Sequence, residues 1–247
     1  MKKIEYYEII SNKALTADIY EMVLKGDTSW IDAPGKFMNI KVEGKFLRRP
    51  ISICDRDADS LTIIYKVVGE GTAWFKTLEA GKTIEALVGL GNGFKFDDKH
   101  LLIIGGGVGI PPMYGVCKQM VKQGLKPIVI LGFQSAKDMF YVEKFNAICD
   151  KLYISTNDGS AGLKGFVTDV MVKNDLCDIP YMTCGPLVME KAIYKCSNTT
   201  GLISFEERMG CGFGACMGCS MEVKDGYVRI CKEGPVIESE RLLWTKD

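Results

Sequence analysis

At about residue 98 the rhythm of the sequence changes, and that change limits the folds open to the chain more than any other feature. Before it, short apolar runs recur at close intervals: IEYYEII, IYEMVL, KFMNIKV, RPISIC, LTIIYKVV and KTIEALVGL. Turn residues separate them, among them Gly26-Asp27, Ala33-Pro34-Gly35, Glu43-Gly44 and Asp57-Ala58-Asp59. Strands this short and closely spaced predict a small antiparallel β-barrel, interrupted by one helical turn at TAWFKTL. After it, apolar strands alternate with helical segments: LLIIGG, PPMYGVCKQMVKQG, PIVILGF, EKFNAICD, KLYIST, GFVTDVMVK, YMTCG, LVMEKAIYKC and LISFEE. That alternation predicts a doubly wound parallel α/β sheet. A cysteine-rich appendage follows. The expected organisation is multidomain β and α/β, with segments 1–97, 98–206 and 207–247, which suits a chain of 247 residues.

Charge narrows the function classes. Lys plus Arg number 31 and Asp plus Glu 31, so no long-range field favours nucleic acid or an anionic membrane surface. Glu5 and Glu8 interrupt the opening MKKIEYYEII, so no signal peptide is expected there. The most apolar run, LLIIGGGVGIPPM, is broken by glycine and proline and is too short to span a bilayer. A cytoplasmic protein is expected, with its cysteines mostly thiols. Of ten cysteines, six (Cys54, Cys117, Cys149, Cys177, Cys184 and Cys196) follow no metal-like spacing, and most of these are expected to be small core residues.

The other four stand close together. EERMGCGFGACMGCSMEV, followed by VRICKEG, places Cys211, Cys216, Cys219 and Cys231 as C-x-x-x-x-C-x-x-C, eleven residues and a final C. Structural zinc sites usually pair two C-x-x-C knuckles or add histidines. Here the first interval is four residues, and the only histidine, His100, is far away in sequence. The spacing matches the plant-type two-iron ferredoxin pattern. Gly210, Gly212, Gly214 and Gly218 permit the unusual dihedrals and the close backbone approach that such a loop needs. An iron–sulfur cluster is the favoured reading; zinc and disulfides stay open as alternatives.

Further motifs carry weaker signals. IIGGGVGIPPM runs from a strand into a helix, where backbone amides can receive a phosphate. It is not the strict dinucleotide fingerprint, because Ile110 stands where a third glycine would follow Gly105 and Gly107. LRRPISIC places Arg49 and Ser52 on alternate sides of a strand, and VVGEGTAWF offers Gly69, Gly71 and Thr72 at a helix start; both suit anion or flavin contacts. Cys184-Gly185-Pro186 ends another strand, the end at which ligands bind in such sheets. Asp158, after KLYIST, offers a carboxylate where a ribose hydroxyl would be welcome and a 2′-phosphate repelled, so NAD is expected over NADP; Lys164 nearby opposes this. The plainer readings are a tight corner, an edge strand, a surface turn and a buried cysteine. His100 is expected to be a solvated turn residue, and no Ser–His–Asp or Cys–His arrangement forms around it, which disfavours hydrolysis.

Taken in order, R-P-I-S and G-x-G-T in a barrel, G-G-G-V-G-I-P-P, C-G-P and the four-cysteine tail resemble the ferredoxin–NADP reductase superfamily. The tail ERMGCGFGACMGC with GYVRICKEGPV is more specifically similar to the electron-transfer subunits of NAD-dependent (class B) dihydroorotate dehydrogenases. The resemblance spans essentially the whole chain. It implies an FAD-binding barrel, an NAD-binding α/β domain and a ferredoxin-like segment for a [2Fe–2S] cluster. It implies that Arg49, Pro50, Ile51 and Ser52 contact FAD, with Ile64, Tyr65 and Lys66 along the flavin mostly through backbone. Gly71 and Thr72 would take the pyrophosphate. Gly105, Gly106, Gly107 and Gly109, with Gly185 and Pro186, would shape the nicotinamide site, with Cys184 the catalytic position. Cys211, Cys216, Cys219 and Cys231 would hold the cluster. The implied partner is an FMN-containing dihydroorotate dehydrogenase catalytic subunit, in a heterotetramer of two plus two chains serving pyrimidine (UMP) biosynthesis. Plant reductases carry Tyr where this chain has Ile51, so something else must cover that flavin face. A reductase subunit of a hydrogenase or NADPH–ferredoxin system, and a zinc-stabilised scaffold without redox function, are the alternatives.

Overall fold

The six apolar runs become six strands of one closed antiparallel barrel, in the order β1-β2-β5-β4-β3-β6. They are β1 (Lys3–Ala14), β2 (Ile19–Lys25), β3 (Phe37–Ile40), β4 (Arg49–Arg56), β5 (Ser60–Lys66) and β6 (Thr83–Leu90). The computed structural model describes residues 2–246; Met1 and Asp247, the outer ends of the first and third expected segments, lie outside the described residues. Closure depends on β1. Its first half pairs with β6 and its second half with β2, with an irregularity between Ile9 and Ser11 where the strand changes partner. Alternate residues point inward, and Tyr7, Ile9, Met22, Leu24, Met38, Ile40 and Val88 fill the barrel. Helix α1 (Glu70–Lys76) caps one end, with Phe75 fully buried.

The alternating half gives a seven-stranded sheet, and the first six strands in its order run parallel. In chain order its elements are β7 (Leu102–Gly106), α2 (Ile110–Lys122), β8 (Ile128–Phe133), α3 (Val142–Asn146), β9 (Lys151–Thr156), β10 (Leu163–Lys164), α4 (Val167–Lys173), β11 (Tyr181–Cys184), α5 (Leu187–Cys196) and β12 (Gly201–Ser204). The strand order β9-β8-β7-β11-β12 reverses direction between β7 and β11, which makes that gap the switch point where such sheets bind ligands. Pro111 and Pro112 occupy the first turn of α2, where a missing N–H leaves no bond unmade.

Helix α2 also joins the two halves. A side chain on Gly115 would meet the Cys54 carbonyl of β4 at 2.8 Å, so the helix backbone lies directly on the barrel. Lys118 pairs with Asp55 at 2.6 Å, and Glu21 accepts from Tyr141 Oη at 2.5 Å and Lys144 Nζ at 3.0 Å.

The cysteine-rich part is more than an appendage. It forms a hairpin, β13 (Ser220–Val223) and β14 (Gly226–Arg229), then returns as β15 (Val236–Glu238), antiparallel to β12 at the sheet edge. Cys219, Ile230 and Cys231 share a core with Leu102, Ile104 and Ile203 of the sheet and with Phe37 of the barrel. Asn92, between barrel and sheet, exchanges side-chain bonds with Val236 at 2.7 and 3.1 Å. The strand expected from LISFEE stops at Ser204, so Phe205, Glu206 and Glu207 are free to leave the sheet. The expected helix EKFNAICD ends at Asn146. Cys54, Cys117 and Cys184 are buried, but Cys149, Cys177 and Cys196 are only half-buried, and all ten cysteines are free thiols. His100 is partly buried and bonds Asp97 of its own turn at 2.8 Å. Among the described residues no helix is long and apolar enough to cross a membrane.

Candidate functional site

The barrel is closed on paper but split at one seam. Residues Ile53 to Arg56 of β4 pair with Leu61 to Ile63 of β5, and there the ladder stops. Arg49 to Ser52 go on pairing with β3 only, and Ile64 to Lys66 with β2 only. The two strands therefore splay, and facing backbone edges are left for a ligand. Pro50, which has no N–H to lose, sits on such an edge without cost. Into the seam opens a cleft of about 370 Å³. Arg49, Pro50, Ile51, Ser52, Ile64, Tyr65, Lys66 and Thr72 line it from the barrel, Val108 and Cys184 from the sheet. Arg49 and Ser52 both border the cleft despite alternating, because it runs along the edge of their strand. The Tyr65 ring points away, stacked 5.8 Å from Tyr20 with its hydroxyl on Asn12, so this residue faces the cleft through its backbone.

At one end of the cleft the Arg49 side chain lies against α1. A Cβ on Gly71 would fall 2.5 Å from Arg49 Nε, so only glycine lets the guanidinium approach the helix start. The Thr72 hydroxyl accepts from the Val68 amide at 2.9 Å and donates to the Gly69 carbonyl at 3.1 Å, which fixes the turn. A cation and free helix-start amides in one corner suit an anionic group.

At the other end the sheet contributes its switch point. A Cβ on Gly109 would fall 2.1 Å from the Cys184 carbonyl oxygen, so the glycine turn and the Cys184-Gly185-Pro186 turn are in direct backbone contact. A Cβ on Gly106 would fall 2.4 Å from Met189 Sδ and 3.4 Å from Pro186 Cδ. Burial pushes the Cys184 thiol well up, helped by the carboxyls of Glu206 and Glu190, so it stays protonated. Burial likewise drives Glu190 far above the usual carboxylate range; its Oε1 accepts from Thr183 at 3.3 Å, while Oε2 has no partner. Asp158 lies apart, at the end of β9. The Ser160 hydroxyl and amide bond its carboxylate at 2.6 and 2.9 Å and hold it below the usual range, hence ionised. The stem of Lys164 packs on Gly159 beside it.

The outer wall of the cleft is one that sequence reasoning missed: Ser204, Phe205, Glu206, Glu207, Met209 and Pro235. Phe205 is the aromatic that this wall brings to the cleft lining. Glu206 borders the cleft while remaining exposed, and the surrounding protein shifts its carboxyl upward. This wall runs within two residues into the cysteine loop. There Gly212 and Gly214 take left-handed backbone (φ 76° and 91°). The Ala215 and Cys216 amides point at Cys211 Sγ, at 3.2 and 3.5 Å. Burial opposes ionisation of Cys211, but the amides of Cys216, Phe213 and Ala215 outweigh it and bring the thiol down to about 6.

The hairpin β13–β14 accounts for the eleven-residue interval. It turns the chain back so that Cys231 lies beside Cys219, with the Cys231 amide 3.5 Å from Cys219 Sγ. Burial pushes Cys231 up to about 12, and the neighbouring Cys219 adds to it. The four thiols thus fall into two pairs, 211 with 216 and 219 with 231. Two thiolates per iron is the donor set of a [2Fe–2S] cluster, and amides aimed at sulfur suit its negative charge. Arg229 braces the loop, donating to the Gly214 carbonyl at 2.7 Å while paired with Glu233 at 2.9 Å. Asn39 of β3 was also missed. Its side chain is fully buried against Gly212, and neither amide atom has a partner, a state that costs about 1–3 kcal/mol.

A split barrel joined to a doubly wound sheet at a shared cleft defines a reductase of the ferredoxin–NADP reductase type, here with a four-thiol segment. Comparisons with known proteins agree. Residues 206–243 match the iron–sulfur cluster binding domain of dihydroorotate dehydrogenase B, and residues 103–195 the oxidoreductase NAD-binding domain. The chain is 42% identical to the dihydroorotate dehydrogenase B (NAD(+)) electron transfer subunit of Fusobacterium nucleatum subsp. nucleatum, covering 95% of this chain and 96% of that one. It is also 42% identical to that of Bacillus pumilus, covering 98% of both. Among solved structures, an NADH-dependent reduced ferredoxin–NADP oxidoreductase superposes with a TM-score of 0.88 at 27% identity, over 96% of this chain and 90% of that one. A ferredoxin NADP+ reductase from Neisseria gonorrhoeae, with bound FAD and NADP, shares the fold at a TM-score of 0.67 and 21% identity, over 78% of this chain and 90% of that one. The chain belongs to the family of electron transfer subunits of NAD(+)-dependent dihydroorotate dehydrogenase B.

Proposed function

We propose that this chain carries electrons from an FMN-containing dihydroorotate dehydrogenase catalytic subunit to NAD, in pyrimidine biosynthesis, within a heterotetramer of two plus two chains. The single observation that carries the reading is continuity: the outer wall of the split-barrel cleft, Phe205 to Met209, leads directly into the four-thiol loop. One segment therefore borders both cofactor sites. In this reading residues 1–97 bind FAD, 98–206 bind NAD and 207–247 hold the cluster. The chemistry supplied by the bound groups is hydride exchange between FAD and NAD, and one-electron transfer through the [2Fe–2S] cluster to the catalytic subunit.

The chain's own residues bind and orient. The backbone edges of Pro50 to Ser52 and Ile64 to Lys66 receive the flavin, and Arg49 with the Gly71–Thr72 turn receives the pyrophosphate. Cys184, neutral because it is buried, closes the cleft where the nicotinamide must arrive and excludes water without adding a charge. Glu206 borders the cleft from the wall that leads to the thiol loop. The ionised Asp158 favours NAD, and Lys164 is the competing influence. Cys211 with Cys216, and Cys219 with Cys231, each hold one iron. A second reading, a subunit of an NADPH–ferredoxin system, draws on the likeness to the ferredoxin–NADP oxidoreductase, but identity there is 27% against 42% in the dihydroorotate dehydrogenase family.

Gly109→Ala tests the nicotinamide side alone. The new methyl group must displace either the glycine turn or Cys184-Gly185. Misplacement on that scale is expected to lower NADH-driven dye reduction by about a hundredfold, with flavin and iron content unchanged. Wild-type activity with NADH in this variant would remove the turn from the site.

The proposal as a whole is tested by anaerobic purification. The protein should be coloured, with about one FAD and about two irons per chain, and reduced by NADH in preference to NADPH. One zinc in place of iron, with no flavin released on denaturation, would overturn it.

A further inference from the structure

The buried contact between the barrel and the cysteine loop is built on apolar side chains. Phe37 and Leu90 of the barrel share a core there with Cys219, Ile230 and Cys231, and Leu87 packs against it. Asn39 sits on the same face: on β3, Phe37 and Asn39 point outward while Met38 and Ile40 enter the barrel. Its backbone pairs opposite Pro50 of the flavin seam and Leu87 of β6. Its side chain is fully buried, and neither Nδ2 nor Oδ1 has a hydrogen-bond partner. It is aimed at the loop, since a Cβ on Gly212 would fall 2.3 Å from Nδ2. Gly212, next to Cys211, holds a left-handed φ of 76°, which leaves that approach open.

A leucine would fill this place as well and leave nothing unpaired. An amide kept here needs an acceptor that the protein itself does not provide. The group that the four thiols would hold brings such acceptors in its anionic sulfurs. Hydrogen bonds to those sulfurs stabilise the extra negative charge of the reduced state and so raise the reduction potential. Resting on the iron–sulfur reading above, we propose that Asn39 donates a hydrogen bond from Nδ2 to the sulfur shell of the cluster and thereby sets its reduction potential. It would act from the strand that also borders the flavin seam, so one short element would serve both redox sites.

Potentiometric titration followed by electron paramagnetic resonance tests this in the full-length protein. Asn39→Leu keeps the branching at Cγ and removes the donor; Asn39→Asp keeps the shape and, once ionised, replaces the donor with an acceptor. At a fixed ambient potential, the ratio of reduced to oxidised cluster should fall about tenfold in Asn39→Leu, equivalent to about 59 mV for one electron. It should fall further in Asn39→Asp at pH values high enough to ionise the buried carboxyl, where a negative charge is added. A variant could lose the cluster, so the wild-type protein supplies an independent measurement. With ¹⁵N in asparagine side-chain amides, pulsed resonance of the reduced cluster should show a nitrogen coupling, absent from whichever variant stays loaded. An unchanged potential in loaded Asn39→Leu, or no such coupling in wild type, overturns the inference. Wild-type protein without iron and acid-labile sulfide would instead overturn the iron–sulfur reading, so the two failures are distinguishable.

Discussion

Cys219→Ser is expected to cut dihydroorotate-driven NAD reduction by the reconstituted complex by at least about a hundredfold, the upper end of what loss of a supporting bond around a metal ligand costs. NADH-driven reduction of a small dye should stay near the wild-type rate. The reason is the separation of the two sites within one chain. Cys219 is buried, paired with Cys231 and shielded by the hairpin, so no water-borne ligand can easily replace its sulfur. The flavin seam, by contrast, rests on the barrel, whose core of Tyr7, Met22, Leu24 and Met38 contains nothing from the cysteine loop. The variant should lose the visible absorption of the cluster and keep its FAD. Cys54→Ser is the control, since Cys54 is equally buried but lies on β4 against α2, away from the loop. A Cys219→Ser protein with an unaltered visible spectrum would remove this residue from the ligand set.

The architecture could be read from the sequence because it rests on periodicity. The six barrel runs and the strand–helix alternation appear in the structure in the order in which they occur in the chain. The seam could not be read, because it depends on register: RPISIC and LTIIYKVV look like ordinary neighbours until the ladder stops at Ile53 and Ile63. The return of β15 to the sheet was equally hidden, since three residues after Gly234-Pro235 carry no periodicity of their own. Glu206 and Asn39 were missed for another reason. Asn39 is a single polar residue within an apolar run and Glu206 the first of three charged residues after one, and only the tertiary fold shows that Glu206 borders a cleft and Asn39 faces a loop. The two glycine-rich turns were visible separately at Gly105 and Gly185. That Gly109 touches Cys184 follows from β7 and β11 lying side by side, which local sequence does not encode.

Charged residues at Phe213 and Met217 together are expected to break association with the dihydroorotate dehydrogenase catalytic subunit, at about thirtyfold in affinity for each site if both are interface anchors. The loop presents these side chains outward: Phe213 is 41% and Met217 53% exposed, and Ala215 and Cys216 are exposed beside them. Met217 does so from a left-handed backbone (φ 61°), a conformation that glycine adopts at less cost. The loop is also held rigid, by Lys2 donating to the Phe213 carbonyl at 2.7 Å and by Arg229 bonding Gly214. A pre-shaped apolar knob around an exposed cysteine is what a docking surface for electron transfer requires, because it brings the cluster close to the partner and orders little on binding. The competing role is shielding, in which these side chains only keep water from the cluster. Phe213→Glu with Met217→Glu separates the two. Docking is supported by weakened complex formation and slow dihydroorotate-driven turnover, with full iron content and normal NADH-driven dye reduction. Loss of iron in the isolated subunit would indicate shielding, and unchanged complex formation would move the interface to another face.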